Sequence, residues 1–86
     1  MLVTTTKKFD KQFKKQLPKI QKEFANRITL FLNDFHSPTL NTHKLSGKMK
    51  ELWSFNVSGD IRVIFDNSFK DMVVLEAIGS HSELYN

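Results

Sequence analysis

The amino-acid sequence predicts an α+β fold of order β-α-α-β-β-β, with two N-terminal helices packed on a small, mainly antiparallel twisted sheet. Three observations lead there. Apolar side chains recur at helical spacing from Phe9 to Phe35; they alternate with polar ones at period two in the last third; and a Ser58-Gly59-Asp60 turn joins two of the alternating runs. A chain of 86 residues has apolar surface for one core, so a single domain spanning residues 1–86 is expected.

Leu2-Val3-Thr4-Thr5 has the β-branched content of a short first strand. Thr6 is placed to cap a helix in which Phe9, Phe13 and Leu17 form an i, i+4, i+8 stripe, with Lys7, Lys8, Lys11, Lys14 and Lys15 off it. Pro18 disfavours helical geometry at Leu17 and suits a first helical position, so a break is expected at residues 16–18. Ile20, Phe24, Ile28, Phe31, Leu32 and Phe35 then mark a second helix of roughly four to five turns, ending before Ser37-Pro38. A polar loop and a basic segment, His43 to Lys50 with Leu45 as its anchor, lead into the sheet. There Trp53, Phe55 and Val57, and then Ile61, Val63 and Phe65, give each strand one apolar face, and Met72 to Ile78 supplies the last strand.

Composition narrows the function classes. With no cysteine there is neither a disulfide framework nor a thiolate zinc site, and three scattered histidines give no usual metal-ligand set. Polar Thr4-Thr5-Thr6 follows Met1-Leu2-Val3 where a leader would be apolar, and no run is long enough to span a membrane, so a cytoplasmic protein is expected. The net charge of +4 hides an asymmetry: residues 1–50 carry eleven Lys or Arg against three acids, and residues 51–86 carry two against six. A half this basic suits a polyanion, although lysines on helices are also an ordinary solvated surface.

His43, Asp60, Arg62, His81 and Tyr85 are the candidates for chemistry. His81 and Tyr85 are four apart, so one helical turn would bring imidazole and phenol together. Asp60 and Arg62 flank Ile61, and alternation points them to the same face. A proton-exchanging group, a cation and a phenol on an open face suit phosphodiester cleavage in RNA: the 2′-hydroxyl needs a base, the phosphorane oxygens positive charge and the 5′-oxygen an acid. Each residue also has a plain structural explanation. A loop histidine is often only surface, Arg62 could pair with Glu76, Tyr85 could anchor the core, and Asp60 is a common turn residue.

The segments His43-Lys44-Leu45-Ser46-Gly47, Ser58-Gly59-Asp60-Ile61-Arg62-Val63-Ile64-Phe65 and Ile78-Gly79-Ser80-His81-Ser82-Glu83-Leu84-Tyr85, in this order of elements, resemble the RelE/ParE toxin superfamily, most of all its YafQ branch. The likeness implies the toxin of a type II toxin-antitoxin pair: a ribosome-dependent, metal-independent endoribonuclease that cuts mRNA by 2′-hydroxyl attack, with no cofactor. Its implied partners are a cognate antitoxin, the ribosome and mRNA. Position by position, His43, Asp60, His81 and Tyr85 match the branch's loop histidine, strand aspartate, C-terminal histidine and terminal aromatic, and Arg62 matches the arginine of the Gly-x-x-Arg strand. On this reading His81 exchanges a proton with RNA, His43 and Asp60 assist, Arg62 stabilises phosphorane charge and Tyr85 positions a base. Lys7, Lys8, Lys11, Lys14, Lys15, Lys44, Lys48 and Lys50 would meet RNA or ribosome. Asn56, Ile61 and Ala77 depart from the branch, where His or Lys, an aromatic and Arg are expected. A gyrase inhibitor of the ParE type and a catalytically weakened, antitoxin-binding relative are the alternatives.

Overall fold

The computed structural model describes residues 1–46 and 51–85. Its elements run β1 (Leu2–Thr5), α1 (Lys7–Lys14), α2 (Pro18–Asn33), β2 (His43–Lys44), β3 (Leu52–Ser58), β4 (Ile61–Asp66), β5 (Met72–Ser80) and α3 (His81–Tyr85). The expected α+β order holds, with two short elements added.

Thr6 caps α1: its hydroxyl accepts from the Phe9 amide at 3.0 Å and donates to the Glu76 carbonyl at 3.2 Å, so the cap also ties the helix to β5. Such a cap contributes about 1 kcal/mol. Leu17 does not complete the buried stripe of α1. It is extended (φ −59, ψ 148) ahead of Pro18, which starts α2, and it is 63% exposed. Along α2, Ile20 and Phe31 are buried, and Phe24 and Ile28 pack against the core beside them. Leu32 departs from the expectation at 49% exposed, because it lies about 100° round the helix from Phe31. Phe35 falls beyond the helix end and still packs on Phe31 and Trp53, with ring centroids 5.1 and 5.7 Å away.

The five strands are ordered β1-β5-β4-β3-β2, with β1 parallel to β5 and every other pair antiparallel. One face of the sheet, with Phe55, Val57, Val63, Phe65, Val73, Leu75 and Ile78, meets Phe9, Ile20, Phe31 and Leu40 in the main core. Phe31 sits at its centre, 4.9 Å from Phe55 and 5.1 Å from Phe65 between ring centroids. Each such side chain contributes about 1.5–3 kcal/mol by leaving water. Gly59, with φ +51, takes the left-handed position of the β3–β4 turn. Among the described residues no helix is long and apolar enough to cross a membrane.

On the other face the pairing register sets two cross-strand rows. His43, Ser54, Ile64 and Ala77 form one, and Asn56, Arg62 and Gly79 form the next.

Candidate functional site

A cleft of about 280 Å³ opens over this second face, lined by Asn41, His43, Leu45, Arg62, His81 and Tyr85. Its first wall comes from the loop after α2. Arg27, ion-paired with Glu23 at 2.9 Å, donates to the Thr39 carbonyl at 3.0 Å and so ties that loop to the helix. Leu40 is fully buried, and its carbonyl accepts from the Asn56 amide at 2.7 Å. Asn41 then turns through a left-handed conformation (φ 47) that asparagine tolerates better than most residues. That turn presents the Asn41 carbonyl to His43 Nδ1 at 2.8 Å. A carbonyl oxygen only accepts, so Nδ1 carries a proton at this contact, and in the tautomer this selects the lone pair is on Nε2.

The floor is the Asn56–Arg62–Gly79 row. Arg62 Nη1 donates to Asn56 Oδ1, and the alternative pairing with Glu76 is not made. Among the described residues the ion pair formed is Arg27–Glu23, which leaves the Arg62 guanidinium without a carboxylate.

The second wall is α3, and its local sequence explains why so short a helix forms. The Ser80 hydroxyl accepts from the Glu83 amide at 3.3 Å while the Glu83 carboxylate accepts from the Ser80 amide at 2.8 Å, a reciprocal capping box. The Ser80 amide first, and its hydroxyl second, hold the Glu83 carboxyl below the usual carboxylate range. Asp60 adds a further tie: its backbone carbonyl and its carboxylate accept from the His81 amide at 3.2 and 3.3 Å. One turn later Tyr85 meets His81, with ring centroids 4.6 Å apart, as the four-residue spacing predicts.

Four of the sequence candidates, His43, Arg62, His81 and Tyr85, therefore line one cleft. Asp60 is not among the residues lining it; it stands in the exposed turn beside the cleft, and its carboxylate accepts from the His81 backbone amide. Lys7, Lys8, Lys11 and Lys15 line a separate concavity of about 410 Å³ on α1 together with Gln12, and Lys14 is exposed outside it. Lys44 is exposed beside Trp53 in register, on the sheet face opposite His43. Lys48 and Lys50 lie outside the described residues. Among the described residues, no group of three His, Cys, Asp or Glu is arranged to hold a metal ion.

Three contributors lie outside the candidates for chemistry named from the sequence. The Ser80-His81-Ser82-Glu83 capping pattern was there to be found. The Asn41 backbone carbonyl and the Asn56 side-chain oxygen carry no comparable local signal, since each acts through a partner fixed by the turn or by strand pairing.

Comparison with known proteins follows the same lines. No curated protein matches the chain in sequence. Solved structures share its fold. YafQ in the Escherichia coli DinJ-YafQ complex aligns with a TM-score of 0.75 at 19% identity over 98% of this chain and 97% of that one. A YoeB/ParE toxin from Agrobacterium tumefaciens aligns at 0.78 and 13% identity over 94% and 99%. A metal-bound toxin from Helicobacter pylori aligns at 0.72 and 24% identity, covering 99% of each chain. The family described as YafQ, bacterial toxin of type II toxin-antitoxin systems, matches residues 1–86. Because that match spans the whole sequence and the fold agrees with it, the chain belongs to the YafQ family of type II toxins.

Proposed function

We propose that this toxin is an endoribonuclease that cuts mRNA on the ribosome, using its own side chains for proton transfer. The observation that carries the reading is the meeting of His43, Arg62, His81 and Tyr85 in one cleft, from points far apart in the chain. His43, with its Nδ1 proton held by the Asn41 carbonyl, offers Nε2 as the base that removes the 2′-hydroxyl proton. The 2′-oxygen bonds to the adjacent phosphorus and the bond from phosphorus to the 5′-oxygen breaks. His81, as imidazolium, gives its proton to the leaving 5′-oxygen, and the upstream fragment ends in a 2′,3′-cyclic phosphate. Arg62 meets the charge that builds on the phosphorane oxygens, and Tyr85, braced against His81, offers its ring to a base.

Asp60 acts at one remove, holding the α3 backbone that carries His81. The lysines of α1 form a surface for ribosomal RNA outside the cleft, where phosphate neutralisation gives affinity without sequence preference. A cognate antitoxin is the protein partner we expect, a reading supported by the crystallised pair of YafQ with DinJ in the Escherichia coli neighbour.

Induced without an antitoxin, the protein should arrest growth, with mRNA cut inside codons on translating ribosomes. Purified His81→Ala should cleave about 10²–10⁴-fold more slowly and relieve the arrest. Arrest with intact transcripts, accompanied by loss of gyrase supercoiling activity, would overturn the ribonuclease reading.

A further inference from the structure

We infer that Asn56 is a positioning residue: it holds Arg62 over the cleft as a cation that no carboxylate among the described residues pairs, open to a phosphate oxygen of the RNA, an inference that rests on the ribonuclease reading above. Arg62 occupies the middle of its cross-strand row, with Asn56 on β3 to one side and Gly79 on β5 to the other. The two sides differ. Asn56 Oδ1 accepts from Arg62 Nη1, whereas Gly79 has no side chain and is covered by Glu83 and Leu84 of α3. The nearby Glu83 carboxylate is taken up by the Ser80 amide. Among the described residues, the acceptor offered to the guanidinium is therefore a neutral amide.

That neutrality is the point. A carboxylate at position 56 would orient the guanidinium equally well and cancel the charge that a phosphate needs, while an amide oxygen orients it and leaves the charge intact. Asn56 is also anchored where the anchoring matters. Its backbone N–H donates to the Leu40 carbonyl at 2.7 Å, next to the Asn41 carbonyl that holds His43. The loop that sets the imidazole thus also sets the partner of the guanidinium, and the irregular register between Asn56 and Ser58 keeps this part of β3 from sliding along β4. Asn56 has no proton to exchange near neutral pH, so its influence on the reaction runs through Arg62.

The test uses the ¹⁵N-labelled full-length chain, with Asn56→Ala, Asn56→Asp and Arg62→Ala as variants. In the wild type the Arg62 Nη protons should rotate slowly enough to resolve by NMR at low temperature; they should average in Asn56→Ala and stay resolved in Asn56→Asp. Averaging already in the wild type, or no change in Asn56→Ala, would overturn the inference.

Binding is then followed by NMR titration with an RNA trinucleotide 2′-O-methylated at every sugar, at low salt. Asn56→Asp should bind about tenfold more weakly, as should Arg62→Ala, and the double variant should lose little more. Asn56→Ala should lose about threefold, through freed rotamers. Asn56→Asp binding as tightly as the wild type, or no binding by the wild type, would also overturn it. Cleavage on programmed ribosomes separates the two levels. An inactive wild type that keeps the Asn56–Arg62 coupling removes the ribonuclease reading alone; an active enzyme that is indifferent to Asn56→Asp removes the positioning role alone.

Discussion

Replacing Gly79 by alanine should separate activity from stability more cleanly than any substitution of a charged residue. A Cβ at this position would lie 3.2 Å from Glu83 Oε1, 3.4 Å from Leu84 Cδ2 and 3.6 Å from Glu83 Cβ. The backbone there is not in the left-handed region, so alanine is tolerated locally and gains about 0.4–1 kcal/mol from a less flexible unfolded chain. Against this stands crowding under α3, at about 1 kcal/mol, the low end of overpacking costs. The two nearly cancel, and the melting temperature should stay within about 5 °C of the wild type.

The strain cannot be relieved by the Glu83 carboxylate alone, because it accepts from the Ser80 amide at 2.8 Å. While that hydrogen bond is kept, the crowding passes to the helix, which gives by a few tenths of an ångström, and it carries His81 and Tyr85. Misplacement by a full ångström costs about a hundredfold in rate, so a smaller shift should cost about tenfold. Paired measurements of thermal unfolding and of mRNA cleavage on purified ribosomes check this. Full cleavage activity at unchanged stability would refute the idea that the position of α3 sets the geometry of the cleft.

Two further outcomes bear on the frame around the site. Phe31→Ala should cost about 3–5 kcal/mol in urea unfolding, because the ring is buried among Phe35, Phe55 and Phe65; a loss below about 1 kcal/mol would show that the core can close over the gap. The pH dependence of α3 has a fixed sign. The folded-state pKa of Glu83 is depressed, so its contribution is present above the unfolded value of 4.5 and is lost as pH falls through the lower, folded one. Protection of the amides at residues 81–85, taken as exchange relative to the intrinsic rate at each pH, should fall over that acid range in the wild type and stay level in Glu83→Gln.

The larger elements were legible because one simple period governs each. Phe9 with Phe13, and Ile20 through Phe31, announce their helices, and the alternation around Phe55 and Val63 announces the sheet. Leu17 and Leu32 misled because apolarity alone does not say which way a side chain points: Pro18 re-aims the first, and rotation about α2 carries the second into solvent. The strand at His43–Lys44 has no pattern of its own and exists through pairing with Ser54 and Trp53. At the site, the spacing of His81 and Tyr85 reported their contact because both lie in one turn of helix. The convergence of His43 with Arg62 depends on strand order, which no local spacing encodes. The contact of Asp60 with the His81 backbone depends in the same way on how the turn before β4 meets α3, which local alternation does not encode.

The parallel contact between β1 and β5 has a consequence for the order in which a newly made chain matures. Leu2 must wait for Met72, and Val3 for Val73, before it can join the sheet. Such distant parallel contacts form late and slowly. The strand that finally admits β1 runs directly into the turn bearing His81 and Tyr85, so closure of the scaffold and arrival of half the cleft are one event. A partly synthesised molecule therefore lacks both the parallel edge of the sheet and one wall of the cleft until translation has passed the last strand.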